Sequence, residues 1–306
     1  MSALVMTTAI PTNELRGTLR QDEPMARHTS WRTGGSAKVF YQPADIKDLI
    51  VFLRSLSANE PLYWVGLGSN LLVRDGGLNG TVIATSNNLN RLEFLDNHQV
   101  RAEVGVASPK LARETAKQGL SGLEFLCGIP GTLGGALALN AGALGSEMWQ
   151  RVVSVETINR QGQLQHRTPA DYQISYRHVV GPAEEWFVAA TLQLEPGESS
   201  ASLELIKGYL ARRSATQPTQ LPNAGSVFRN PPGDYAARLI EACGLKNTCV
   251  GGACVSEKHA NFIINTGTAT AGDIEALIER VANTVKREYG IALVREVHIV
   301  GEGRDD

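Results

Sequence analysis

Between Gly122 and Gly142 the chain reads Gly-Leu-Glu-Phe-Leu-Cys-Gly-Ile-Pro-Gly-Thr-Leu-Gly-Gly-Ala-Leu-Ala-Leu-Asn-Ala-Gly, a run whose chemistry lies in its backbone. Gly128, Gly131, Gly134 and Gly135 carry no Cβ, so their amides can turn toward a common point. Successive N–H groups aimed that way make a nest that holds a phosphate without a cationic side chain. An earlier segment, Val65-Gly66-Leu67-Gly68-Ser69-Asn70-Leu71-Leu72-Val73, offers a second loop of the same kind. Two neutral glycine-rich loops point to one pyrophosphate clamped from two sides. Either loop alone is equally well read as an ordinary tight turn.

A dinucleotide is the natural guest for such a clamp. The Rossmann fingerprint fits poorly, because Gly66-x-Gly68-x-x-Leu71 lacks the third glycine that packs helix against strand. Apolar Leu71-Leu72-Val73 follows in place of a helix, and no acidic residue stands at the ribose position. FAD in an α+β fold therefore suits the pattern better than NAD in a doubly wound sheet.

The elements that must hold these loops alternate short β-branched runs with amphipathic helices. Asp45 to Arg54 places Ile46, Leu49, Ile50 and Leu53 on one helical face. Tyr63–Val65 and Thr81–Ala84 read as strands flanking the first loop. Ser108, Pro109 and Gly119 stand at the N-cap, N1 and C′ positions of a helix over 110–118. Val152–Ile158 and Trp186–Glu195 read as further strands. A helix is expected around Leu203 to Arg213 and another over Asp234–Cys243, ended by Gly244. After a strand at Asn261–Asn265, Ala271–Tyr289 is the clearest helix. Thr270 caps it, Ile274, Leu277, Ile278, Val281 and Val285 form its buried stripe, and Gly290 stops it. A last strand, Val294–Val300, sets Glu296 and His298 on one face.

Residues 1–25 lack periodicity and read as a loosely held N-terminal arm. Pro196-Gly197-Glu198-Ser199-Ser200 is the composition break that suggests a boundary. The division expected is 26–196, with subdomains of about 26–85 and 86–196, followed by 197–306. With 306 residues, 42% of them apolar, and a formal charge of −2, neither nucleic acid nor a membrane is expected as partner. No signal peptide is read, and a cytoplasmic location follows. Cys127, Cys243, Cys249 and Cys254 form no metal-binding spacing and read as reduced thiols, with no metal site expected.

Taken together, His28-Thr29-Ser30-Trp31-Arg32-Thr33-Gly34-Gly35, the two glycine loops, Ser175-Tyr176-Arg177, Asn223 to Pro231, Gly251 to Phe262 and Arg295-Glu296-Val297 resemble the UDP-N-acetylenolpyruvoylglucosamine reductase family. The motifs match in order and spacing from about residue 25 to residue 302. The short distance from Arg177 to Ser226 resembles the compact form of that family, without its tyrosine-bearing insertion. Cys254 departs from the family, where glutamine is the more frequent residue.

The resemblance implies a flavoenzyme of peptidoglycan precursor synthesis, in which NADPH as co-substrate reduces FAD. UDP-N-acetylglucosamine enolpyruvate is then reduced to UDP-N-acetylmuramate. It implies an α+β fold: a two-subdomain FAD-binding module like that of vanillyl-alcohol oxidases, then a C-terminal α+β substrate-binding domain. A monomer is expected, although the sequence alone does not fix the oligomeric state. With no histidine between Gly66 and Val73, the FAD is expected to be non-covalent. Arg177, Ser226 and Glu296 match the catalytic positions. Arg177 would hold the substrate carboxylate, Ser226 would protonate C2, and Glu296 would polarise the carboxyl group or orient the donor. Cofactor contacts are implied for Trp31, Thr33, Gly34, Gly66, Gly68, Ser69, Asn70, Leu71, Gly128, Ile129, Pro130, Gly131, Thr132, Gly134, Gly135, Asn140, Ala141 and Gly142. Tyr176, Asn230, Lys258 and His259 are implied on the substrate side. Asn230 can equally cap the Pro231-Pro232 turn, and His259 can equally be structural. Arg212 and Arg213 read either as phosphate ligands or as basic residues at a helix end. A sugar or alcohol oxidase of the same fold is the competing activity.

Overall fold

In the computed structural model, which describes residues 14–304, the first glycine loop leaves the edge of a four-stranded sheet. Its strands run in the order Thr18–Pro24, Ser36–Gln42, Leu78–Ala84, Leu62–Val65. The last three are mutually parallel. Helix α1 (Ile46–Ser55) makes the crossover behind it, capped by Asp45, whose carboxylate accepts from the Asp48 amide at 2.9 Å. Leu49, Phe52 and Leu53 are its buried face.

The arm expected over residues 1–25 ends earlier than the sequence suggests. Thr18–Pro24 is an antiparallel edge strand, with Leu19 opposite Tyr41 and Gln21 opposite Val39. Its exposed outer face hides the hydrophobic alternation that would have marked it. Residues 1–13 lie outside the described residues.

A second, antiparallel sheet of five strands follows: Leu164–Arg167, Val152–Asn159, Glu185–Gln193, Gln99–Glu103 and Leu92–Phe94. Helix α2 (Ser108–Lys117) and the short helix α3 (Leu133–Ala138) pack beside it. Ala107, not Ser108, is the N-cap of α2, so Ser108 is drawn into the first turn and fully buried.

Helix α4 (Ser199–Thr216) corrects the expected boundary at 196/197. Ile206 belongs to the core of the first two sheets, and Ser202 Oγ donates to Glu124 Oε1 at 2.6 Å. The Pro-Gly break marks a turn, and packing changes only after α4. Beyond it lie α5 (Ala236–Ala242) and a three-stranded sheet of Cys249–Val250, Ala253–Val255 and Ile263–Asn265. Helix α6 (Ala271–Tyr289) covers them. Thr270 caps α6, its five expected apolar residues are buried, and Gly290 ends it at φ +69°.

Cys249 and Cys254 are not reduced thiols. A two-residue Gly251-Gly252 turn sets them directly opposite each other, and they form a disulfide. Cys127 and Cys243 are free.

The C-terminal unit is tied to the N-terminal part of the chain at several points. Strand His298–Val300 pairs in parallel with Leu71–Val73, next to the first glycine loop. Arg74 grips Glu275 of α6 through Nε and Nη2, at 2.9 and 2.8 Å. Trp31, with no exposed surface, lies in the C-terminal core and donates from Nε1 to the Ile263 carbonyl at 2.8 Å.

Candidate active site

The two glycine loops meet. Ser69 Oγ donates to the Pro130 carbonyl at 2.7 Å, and Gly66 packs on Thr132 so closely that a Cβ would stand 2.5 Å from its Oγ1. Between them opens a cavity of about 590 Å³. Gly66, Gly68, Ser69, Asn70 and Leu71 line it from one side. Gly128, Ile129, Pro130, Gly131, Thr132 and Gly135 line it from the other, with Ala141 and Gly142 beyond them. Gly68 (φ +65°) and Gly131 (φ +144°) hold backbone conformations that side chains resist.

Several features fit a large phosphate-bearing cofactor here. A Cβ on Gly135 would meet nothing within 4 Å, so the backbone borders open space. Thr132 and Ser108 line the cavity, yet their hydroxyls are buried with no hydrogen-bond partner among the described residues. Orphaned hydroxyls of that kind cost about 1–3 kcal/mol each and are well met by phosphate or ribose oxygens. Arg213, half-buried at the end of α4, adds a guanidinium held below its ordinary pKa by burial. Its hydrogen bond among the described residues goes to Gln217, at 3.2 Å.

The opposite wall carries the reactive side chains. Segments 226–229 and 294–297 run antiparallel, with Glu296 N donating to the Val227 carbonyl at 2.8 Å. That pairing brings Ser226 and Glu296 to the same cavity wall. Asn261 secures the first segment, accepting from Phe228 N at 3.0 Å and donating to Phe228 O at 2.8 Å. Asn70 of the glycine loop secures the second, donating to the Glu296 carbonyl at 3.0 Å.

Arg177 enters from elsewhere. It stands with Tyr176 at the tip of the hairpin formed by Gln173–Ser175 and His178–Val180, with φ +55°. Backbone strain in a non-glycine residue is characteristic of functional positions. Its Nε donates to Glu296 Oε1 at 3.2 Å, and Nη1 and Nη2 donate to the carbonyls of Asn140 and Gly142. A guanidinium has five N–H donors, so two remain for an incoming carboxylate. Burial pushes the Glu296 carboxyl above its usual range, outweighing the charges of Arg177 and Arg229. His298 also lines the cavity, its imidazole held below its ordinary value by desolvation and by the charge of Arg229. The sequence signal for His298 was its two-residue spacing from Glu296.

Other expected site residues lie outside this cavity. Trp31, Thr33 and Gly34 face the domain junction: Thr33 Oγ1 donates to the Ala269 carbonyl at 2.7 Å, and Gly34 abuts Val73. Gly134 abuts Val104, where a Cβ would come within 3.0 Å of the valine side chain. Asn140 is buried beneath the Arg177 hairpin. Lys258 Nζ reaches the Ser214 carbonyl at 2.5 Å near the C-terminal end of α4. The His259 Nδ1 accepts from Asn261 N and its ring edge meets Phe262. Tyr176 and Asn230 line a separate cleft of about 180 Å³ with Arg229. The Asn230 Oδ1 accepts from Ala236 N there, at the start of α5.

Comparison with known proteins places this geometry. A model of the FAD binding domain matches residues 37–168, and one of the UDP-N-acetylenolpyruvoylglucosamine reductase C-terminal domain matches residues 217–300. The reductase of Alkalilimnicola ehrlichii is 60% identical over 288 residues, covering 94% of this chain and 96% of its own. That of Methylococcus capsulatus is 58% identical over 297 residues, covering 97% of each. The chain belongs to the UDP-N-acetylenolpyruvoylglucosamine reductase family. The crystal structure of the Thermus caldophilus reductase superposes with a TM-score of 0.80 at 30% identity, over 94% of this chain and 100% of that one. Within the reductase family frame, the C-terminal domain match begins at residue 217, directly after α4. It follows the packing rather than the composition break. Both glycine loops lie inside the FAD binding match, so the α+β expectation of a flavin module plus a C-terminal domain holds.

Proposed function

We propose that the chain reduces the enolpyruvyl ether of UDP-N-acetylglucosamine enolpyruvate to UDP-N-acetylmuramate, with NADPH as electron donor and FAD as non-covalent cofactor. The observation that carries this reading is the convergence of Arg177, Ser226 and Glu296, from three distant segments, on the cavity lined by both glycine loops. FAD, which the backbone of the two glycine loops (residues 66–71 and 128–132) would hold, would supply the hydride chemistry between NADPH and C3 of the enolpyruvyl group.

The side chains then manage the charge and the proton. Negative charge develops at C2 and on the adjacent carboxylate, and the remaining N–H donors of Arg177 stabilise it as a planar fork. Ser226 delivers the proton to C2. A serine hydroxyl is a weak acid, so the step depends on the strong basicity of that carbon and on a route to replace the proton. Glu296, with its carboxyl pushed up by burial, keeps a proton at higher pH than an exposed glutamate and polarises the substrate carboxyl group through a hydrogen bond or orients the donor. Among the described residues no helix is long and apolar enough to cross a membrane, and a cytoplasmic setting is part of the proposal.

The test is an anaerobic NADPH titration of the purified flavoprotein, followed by addition of the enolpyruvyl nucleotide sugar. Bleaching of the yellow chromophore and return of colour only with that substrate is the expected result. Recovery with oxygen alone would favour an oxidase. A protein unable to take up FAD would remove the basis of the reading.

A further inference from the structure

Asn140 has both ends of its side chain occupied by protein. Its Nδ2 donates to Glu147 Oε2 at 2.8 Å and to the Ser175 carbonyl at 3.2 Å, using both amide hydrogens. Its Oδ1 accepts from Trp149 N at 3.2 Å. The residue is 1% exposed and has no face on the cavity. A bound cofactor would find no free polar atom on that side chain.

The groups it joins are informative. Ser175 is the last residue before the Tyr176-Arg177 tip, so the Nδ2 bond fixes the base of the hairpin that presents Arg177. The backbone carbonyl of the same Asn140 accepts from Arg177 Nη1 at 3.3 Å, and Gly142 O accepts from Nη2 at 2.5 Å. Asn140 itself stands at φ +42°, a left-handed conformation that asparagine tolerates better than most residues. That turn ends α3 and points the carbonyls of 140 and 142 at the guanidinium. Glu147 is anchored in turn, its amide donating to Gln150 Oε1 at 3.1 Å.

We propose that Asn140 is a positioning residue for Arg177, locking the second glycine loop to the hairpin so that one loop both borders the cofactor cavity and aims the arginine. This deepens the functional reading above and rests on it for the identity of the reaction. It needs no reading of the substrate for its structural part.

The test uses the FAD-loaded protein. In Asn140→Ala, reoxidation of the reduced flavin by the enolpyruvyl substrate slows about 10- to 100-fold, the range for a misplaced reacting group. Flavin retention and reduction by NADPH keep their wild-type values. In an Arg177→Lys background the same Asn140→Ala change adds little, because the group it aims is already lost. Amide hydrogen exchange rises at residues 173–180 in Asn140→Ala.

Asn140→Asp, nearly isosteric, covers the case in which alanine prevents folding. Its carboxyl has at most one hydrogen for the two acceptors Glu147 Oε2 and Ser175 O, so the bond to the base of the hairpin is lost. Its reoxidation rate therefore falls and exchange at residues 173–180 rises, as in Asn140→Ala. Full additivity with Arg177→Lys, or unchanged hairpin exchange, overturns the proposal. So does loss of FAD with normal reoxidation in reconstituted protein. If wild type ignores the enolpyruvyl substrate while hairpin exchange still rises, the functional reading fails and the clamp stands.

Discussion

Ser226 shows how little a residue type reveals by itself. A serine after Ala-Gly is ordinarily a turn residue, and only the antiparallel pairing of 226–229 with 294–297 puts it beside Glu296. We expect Ser226→Ala to leave flavin reduction by NADPH intact and to slow reoxidation by substrate about 10²–10⁴-fold, measured in single turnover. Glu296 gives a second expectation, through stability. Its carboxyl titrates above the unfolded value of 4.5, so between the two values the folded state holds a proton that the unfolded chain lacks. Stability from this group is complete below pH 4.5 and is lost as pH rises through the raised folded value. Glu296→Gln should flatten that part of the urea midpoint against pH; an unchanged slope would place the titration elsewhere. Arg177, Ser226 and Glu296 were legible as motif positions. Trp31, Thr33, Gly34, Gly134 and Asn140 do not line the cavity, because nearness to a motif does not say which way a side chain faces.

At the level of elements, the glycine loops were readable because glycine is chosen where backbone must turn or be approached. The two kinds of requirement separate experimentally. Gly68 has φ +65°, and a Cβ there would stand 2.0 Å from the His28 carbonyl oxygen. Gly68→Ala should therefore lower both thermal stability and flavin content. Gly135 sits within α3 and meets open space, so Gly135→Ala should fold at least as well as wild type, helped by alanine's better helix propensity. The methyl intrudes on the cavity, and FAD affinity should fall. A flavin titration alongside a melting curve distinguishes the two. Helix α6 was legible to the residue from cap, stripe and stop. Helix α4 was recognised as a helix but placed beyond the boundary, since it buries only Ser202 and Ile206 and its sequence carries no clear apolar face to say which core receives it.

Across the whole molecule, the cavity lies where both glycine loops meet the C-terminal unit. Trp31 is central to that junction, with Asn265 Nδ2 donating to its carbonyl at 2.8 Å while its indole caps Ile263. We expect Trp31→Ala to destabilise the protein by about 3–5 kcal/mol. Flavin should be released at denaturant concentrations that leave the wild type yellow, as fluorescence of the freed flavin would report. The pairing of Leu71–Val73 with His298–Val300 has a consequence in time as well as in space. A ribosome adding about 5–20 residues per second needs roughly 10–45 s to travel from one strand to the other. During that interval the nascent Leu71–Val73 strand lacks its partner. A nascent chain stalled before His298 should therefore hold flavin poorly, and the protein acquires its colour as translation reaches completion.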